Sequence, residues 1–315
     1  MNRVSETVKQ TETGAGDRVR FSGCTLCPRR CGADREGGGS GYCGVSDALK
    51  AARAALHFYE EPCISGTKGS GAVFFSGCSL HCIYCQNQEI STGKAGKEIT
   101  EARLSEIFLE LQEKGAHNVN LVTPTHYADA IRRSLLAAKE NGLRIPVVYN
   151  CGGYEGLEAL KKLDGLVDVY LTDYKYADPA LAEAFSNAPD YPEIAFDAIT
   201  EMVRQTGSCV FDAAGMLKKG VIVRQLLLPG HVKNSKEAVR KIFEAFGDTV
   251  YISLMNQYTP MRQFTRFPEL NRRVTKREYE RFVTYALSLG IKNAFIQEGK
   301  TAESSFIPAF DGEGV

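Results

Sequence analysis

From Gly71 onward, short apolar runs alternate with longer stretches whose apolar positions recur every three to four residues. The runs at 72–76, 118–123, 146–150, 168–173, 221–228, 250–255 and 294–297 predict strands. Between them, 102–115, 127–141, 155–163, 235–246 and 276–289 predict helices. A helical stretch is also predicted over 179–207, followed by a turn region at 212–220. The first helix shows the pattern clearly: Leu104, Ile107, Phe108 and Leu111 share one face, and Gly115 stops it. Strands alternating with helices imply βαβ units and a parallel sheet, so the chain is α/β. Six or seven such units occupy roughly 230 residues, against ~250 for a complete eight-unit barrel. A partial barrel and an open doubly wound sheet both fit. In either, ligands bind at the C-terminal ends of the strands.

Composition narrows the function. Lys and Arg total 38 and Asp and Glu total 38, so the formal net charge is zero across 315 residues. A broad nucleic-acid or anionic-membrane footprint is not expected. No apolar run approaches ~18 residues, so no membrane span is expected. The run at 221–228 is itself interrupted by Arg224. Residues 1–20 contain no apolar signal core and are expected to form a flexible polar arm. A reducing cytoplasmic location is the expectation. There the ten cysteines favour metal ligation over disulfides.

Their spacing carries the chemistry. Directly after the first strand come Cys78, Cys82 and Cys85, as C-x3-C-x2-C, entered through Gly77. Three thiolates on one loop can hold three irons of a [4Fe–4S] cluster and leave the fourth open, much as catalytic zinc keeps a free position. The alternatives are incidental core cysteines or a zinc knuckle lacking one ligand.

This motif, with Tyr84 before its third cysteine, resembles the signature of the radical S-adenosylmethionine superfamily. The surrounding FFSGCSLHCIYCQN is most similar to the pyruvate formate-lyase activating enzyme-like branch, in a subfamily of largely uncharacterised substrates. Further segments share the resemblance: Leu171 to Lys175, Arg224 to Gly230, Gly69 to Gly71, Asn118 to His126 and Met255 to Tyr258. The resemblance implies a partial (β/α)6 TIM-type barrel, expected over 69–300; a Cys-rich extension at 21–68, which activating enzymes of known substrate generally lack, and a tail at 301–315 flank it. The resemblance also implies that Cys78, Cys82 and Cys85 hold the cluster while S-adenosylmethionine chelates the open iron. Reductive cleavage would yield a 5′-deoxyadenosyl radical that abstracts hydrogen. An external one-electron donor such as flavodoxin or ferredoxin would serve it. A glycyl radical enzyme, a peptide or a small molecule would be the target. The competing reading is a non-catalytic iron–sulfur or zinc protein for electron transfer or assembly. Polar residues at strand ends argue against it.

Several residues at strand ends are candidates for the cofactor's surroundings, Tyr84 among them. Asp173 and Lys175 share one side of the fourth strand by period-two alternation. The resemblance pairs Lys175 with the methionine carboxylate; a structural Asp–Lys pair is the plainer alternative. Relatives use the matching Asp, with an Asp-Thr on the preceding strand, to hold a monovalent cation. Here that strand ends in Asn150-Cys151, which puts the cation site in doubt. Arg224 needs a buried partner or a polar cavity. The second strand lacks the family's carboxylate; Thr123, Thr125 or a backbone carbonyl is expected to replace it, with Thr125 favoured and His126 facing the substrate, a helix cap and a surface His being the plainer alternative. Asn256, Gln257, Gln297 and Glu298 are expected to line a polar substrate pocket. His57, Glu60 and Glu61 have acid–base side chains, but their spacing has no special geometry.

A second group reads Cys24, Cys27, Cys31 and Cys43, as C-x2-C-x3-C-x11-C with a glycine-rich stretch before the last. Four thiols can close a tetrahedral Zn²⁺ site or bind an auxiliary iron–sulfur cluster. Free thiols are the remaining reading. Cys63 and Cys209 are expected to be ordinary thiols; Cys151 ends the third strand, where facing the cavity is the alternative to an ordinary thiol.

Overall fold

The computed structural model describes residues 23–297 and 307–315. The expected arm at 1–20, Glu298 and the first part of the expected tail lie outside the described residues. In chain order the elements are β1 (Lys50–His57), α1 (Pro62–Ser65), β2 (Ser70–Phe75), α2 (Gln88–Ser91), β3 (Lys97–Glu98), α3 (Glu101–Glu113), β4 (Val119–Val122), α4 (Ala128–Glu140), β5 (Val147–Cys151) and α5 (Leu157–Lys161). They continue with β6 (Val169–Asp173), α6 (Pro179–Ser186), α7 (Tyr191–Thr206), β7 (Val210–Phe211), β8 (Leu217–Leu226), α8 (Val232–Phe246), β9 (Tyr251–Met255), α9 (Lys276–Ser288) and β10 (Ala294–Ile296).

The strands form one sheet in the order β10-β9-β8-β6-β5-β4-β2-β1-β3. From β2 to β10 every neighbouring pair on that path is parallel. Among the described residues β3 and β10 do not pair, so the sheet is an unclosed, TIM-type partial barrel. The open doubly wound alternative is set aside. The helices pack outside, where Leu104, Ile107, Phe108 and Leu111 of α3 are all buried. Among the described residues no helix is long and apolar enough to cross a membrane.

The inward faces of the strands are layered. At the N-terminal end Val148, Val169, Leu171 and Ile222 meet Cys63 and Ile64 of α1, which plugs the barrel floor. Above this apolar plug lie Asn120, Asn150, Asp173 and Arg224, which the period-two alternation of the strands turns to the same interior.

Four differences from the sequence pattern have local causes. Residues 50–57, within the expected Cys-rich extension, form strand β1, antiparallel to β2. Its Ala-rich run has no strand signature; tertiary contacts decide it. Residues 307–315 return to β1, where Gly312 donates to the Ala52 carbonyl at 3.0 Å and Ala54 to that of Glu313 at 2.8 Å. Small side chains permit that close cover. The expected helical stretch 179–207 is two helices, because Asn187 adopts a left-handed conformation (φ 48°) and Pro189 follows. Strand β8 starts at Leu217, within the expected turn, because it pairs with β7 through a tight turn in which the Asp212 carboxylate accepts from the Ala214 and Met216 amides. The helix expected over 155–163 is shorter, since Glu155 is buried against Thr125 and Tyr149 before α5 begins.

Candidate active site

The loop after β2 rises at the C-terminal rim of the barrel. Its entry requires Gly77, whose φ is +94°. A Cβ there would lie 2.9 Å from the Cys43 carbonyl oxygen and 3.0 Å from His126 Nε2. Cys78, Cys82 and Cys85 are all partly exposed. Burial pushes the Cys78 and Cys85 thiols up, Cys85 to about 12, and the neighbouring thiols add to this, while the Lys175 ammonium opposes it. The three sulfurs and Lys175 therefore occupy one neighbourhood. Among the described residues, no group of three or more His, Cys, Asp or Glu side chains is drawn to metal-ligating distance.

Tyr84 does not face the barrel mouth openly. It is buried, its hydroxyl sits 2.8 Å from that of Tyr176, and Tyr176 lies 2.7 Å from Ser186 Oγ. Ser186 in turn donates to Cys82 Sγ at 3.1 Å, ending a hydroxyl chain on one of the three thiols.

Beneath the loop lies a buried charge network. Arg224 donates from Nε to Asp173 at 2.8 Å, from Nη2 to the Asn150 side chain at 2.7 Å, and from Nη1 to Glu60 at 3.3 Å. Glu60 also accepts from Asn150 at 2.9 Å and Asn120 at 3.2 Å. Lys175 closes the upper end through a short bond to Asp173. Burial pushes the Asp173 carboxyl up, but Arg224 and Lys175 outweigh it and hold it below the usual range. Glu60 and Glu61 are shifted upward because burial outweighs the same guanidinium. Sequence spacing gave no geometry for Glu60, and Asn120 was not singled out at all. The signal available was an Asn at an inward position of an otherwise apolar strand. The guanidinium fills the space between Asp173 and Asn150, the two positions at which the cation reading was in doubt.

Other candidates fall elsewhere. Thr125, expected at the cofactor, donates to Glu155 at 2.7 Å, and Tyr149 donates to the other oxygen at 2.9 Å. This group sits outside the strand wall. His126, expected to face a substrate, is buried beneath the cysteine loop, with Nε2 2.7 Å from the Ser76 carbonyl oxygen. Burial lowers its imidazole to about 4, which leaves it neutral. Gln257 accepts from the Gln297 side chain at 3.0 Å, and Gln297 accepts from the Asn256 amide at 2.8 Å. These residues tie the ends of β9 and β10 together at the rim. Cys151 points away from the interior and donates to Thr172 at 3.4 Å. A cavity of about 600 Å³ opens at the opposite, N-terminal end, lined by Cys63, His117, Met216 and Tyr251 among others, and contains none of these polar residues.

Glu155 yields a stability prediction. Burial raises its carboxyl from 4.5 to about 7. Unfolded, it loses its proton near the lower value; folded, it keeps it until the higher one. Its contribution to stability is thus full below 4.5 and lost as pH rises to 7. Glu155→Gln is expected to gain stability over wild type at pH 8, on the order of a few kcal/mol, and little near pH 4.5. Urea unfolding at both pH values checks this; an equal effect at both would refute it.

A family model of the Radical SAM superfamily matches residues 72–255. The chain belongs to the Radical SAM superfamily. The matched segment contains the cysteine loop, Asp173, Lys175 and Arg224. Over 274 residues the chain is 29% identical to an uncharacterised protein of Methanocaldococcus jannaschii, spanning 84% of this chain and 75% of that one. It is 26% identical over 182 residues to a pyruvate formate-lyase-activating enzyme of Clostridium pasteurianum, spanning 54% and 66%. Among solved structures, methylornithine synthase overlaps with a TM-score of 0.51 at 16% identity, over 78% of this chain and 65% of that one. Streptococcus suis SuiB overlaps with 0.46 at 14%, over 73% and 46%. The likeness to methylornithine synthase concerns the fold, and the chain spans about half to two thirds of the solved proteins it matches. A [4Fe–4S] cluster and S-adenosylmethionine are characteristic of the superfamily. The donor set suits them: three thiols on one loop, an ammonium beside them, and Gly152 between. A Cβ on Gly152 would lie 2.9 Å from Leu80 of the loop and 3.6 Å from Lys175 Cε, so the glycine keeps that space open.

Proposed function

We propose that this chain is a radical S-adenosylmethionine enzyme of the activating-enzyme-like branch, in which Cys78, Cys82 and Cys85 hold a [4Fe–4S] cluster. The observation that carries this reading is the convergence of the three-thiol loop with Lys175, Asp173 and Arg224 at one end of the barrel. When bound, the cluster and S-adenosylmethionine supply one-electron cleavage and a carbon radical that abstracts hydrogen. The protein's part is positioning. Lys175 presents an ammonium on which a carboxylate can rest. Asp173 holds that ammonium, and Arg224 holds Asp173. Ser186 donates to the Cys82 sulfur and fixes its position. Tyr84 and Tyr176 pack the loop's inner side and exclude water.

The similarity to a pyruvate formate-lyase-activating enzyme supports a protein substrate on which a glycyl radical is formed, with the electron supplied by a flavodoxin- or ferredoxin-type donor. The test is anaerobic purification, cluster reconstitution and reduction, then addition of S-adenosylmethionine. 5′-Deoxyadenosine is the expected product. Its absence from a sample carrying about four irons per chain would refute the proposal.

A further inference from the structure

Residues 23–49 contain no helix and no strand. The apolar residues they bury are few: Cys27, Cys43, Val45 and Leu49, of which two are cysteines. So small a core cannot order such a segment by itself. The backbone nevertheless brings its four cysteines into one neighbourhood, short of metal-ligating distance. Gly32 donates to the Cys24 carbonyl at 3.2 Å and Cys24 to that of Ala33 at 3.0 Å, which brings Cys31 back beside Cys24. Arg30 closes a turn on the Cys27 carbonyl at 3.0 Å. Cys27 is close enough to Cys24 and Cys43 to interact electrostatically. A Cβ on Gly41 would meet Cys43 Sγ at 3.3 Å and Cys31 Sγ at 3.4 Å, so the glycine leaves room between two thiols. The buried Arg35 places Nη1 3.8 Å from Cys24 Sγ, a positive charge beside the cysteine group.

Several of this segment's outward contacts reach the cysteine loop of the barrel and the residues beside it. The Cys43 carbonyl accepts from the Cys78 amide at 3.1 Å. The Tyr42 carbonyl lies 2.8 Å from His81 Nε2. Arg29 donates to the Ser79 carbonyl at 2.8 Å and to the Ser186 carbonyl at 2.8 Å. Arg35 donates to the His126 carbonyl at 2.9 Å, and His126 in turn props Ser76.

We infer that Cys24, Cys27, Cys31 and Cys43 bind one structural Zn²⁺, and that this closed site clamps the loop carrying Cys78, Cys82 and Cys85. A closed tetrathiolate zinc site orders loops that lack a core, and it is redox-silent. That suits a module whose contacts are backbone braces. The zinc assignment stands independently of the proposed activity; the clamp rests on it.

Zinc and iron are counted on the full chain, purified anaerobically and reconstituted, beside Cys31→Ser, Cys43→Ser and Arg29→Ala. About one zinc and about four irons per chain are expected for wild type. The two cysteine variants should lose zinc. Arg29→Ala should keep it. All three should lose the iron–sulfur absorbance to an iron chelator faster than wild type, by about tenfold. Arg29→Ala keeps the clamp testable if the cysteine variants misfold. Wild type without zinc, or with about eight irons and no zinc, overturns the zinc assignment. Unchanged bleaching in Arg29→Ala and in a folded zinc-free variant overturns the clamp. Zinc without any bound iron would refute the proposed activity while leaving the zinc assignment standing.

Discussion

Cys85→Ala is expected to abolish iron binding and 5′-deoxyadenosine formation while leaving the barrel folded. The thiol would be one of three protein ligands, and alanine supplies no donor to replace it. Residual product should fall below about one thousandth of wild type, because no side chain substitutes for the cofactor's chemistry. The fold should survive, because the loop is held by its backbone and not by this sulfur. Gly77 donates to the Ile90 carbonyl at 2.8 Å, Ile83 to that of Phe185 at 2.8 Å, and Cys85 itself to that of Cys82 at 3.0 Å. Cys151→Ala is the matched control, since its sulfur faces Thr172 outside the barrel. It should keep wild-type iron and product. Iron content, absorbance and product chromatography on the three proteins decide the matter. A Cys85→Ala protein that retained four irons and activity would eliminate the assignment.

Arg224→Met is expected to cause the largest loss of stability. The guanidinium is the shared partner of Asp173, Glu60 and Asn150, and its side chain is only 13% exposed. Methionine preserves apolar bulk but leaves two carboxylates facing each other in the interior. Removing one partner of a buried ion pair costs about 3–5 kcal/mol, chiefly because the remaining charge is stranded. Lys175 neutralises only the upper carboxylate. Glu60→Gln should cost less, because Asp173 and Asn150 still pair Arg224 and no charge is stranded, although one amide oxygen replaces only one of the two accepting carboxylate oxygens. The double variant Arg224→Met/Glu60→Gln should recover part of the loss. Arg224→Lys should not rescue it fully, since one ammonium cannot span three partners. Urea denaturation of the four variants measures this. An Arg224→Met cost under about 1 kcal/mol would show that the network does not bear on folding.

The parallel strands were legible because each is a short apolar run between strong punctuation, and parallel strands are buried on both faces. The cysteine loop was legible because ligand spacing is local: Cys78, Cys82 and Cys85 lie within eight consecutive residues. Lys175 and Asp173 were legible for the same reason, two positions apart on one strand. Strand β1 was not, because an Ala-rich run acquires its conformation from β2 on one side and from residues 307–315 on the other. Thr125 and His126 were misjudged because their position after β4 was known, but not which way the chain turns there. That turn sends Thr125 to Glu155 and His126 beneath Gly77.

The sequence alone therefore determined the α/β class, the three-thiol loop and the polar residues at the strand ends, all of which rest on short-range pattern. The tertiary structure alone decided that Glu60 and Asn120 complete the Arg224 network and that the N-terminal cysteines abut the loop carrying Cys78, Cys82 and Cys85. Those pairings join residues 164 and 60 positions apart, and the Cys43–Cys78 brace joins two separate motifs. A buried charge selects its partners through space, where the cost of leaving it unpaired is decided, and residue spacing along the chain does not encode that choice.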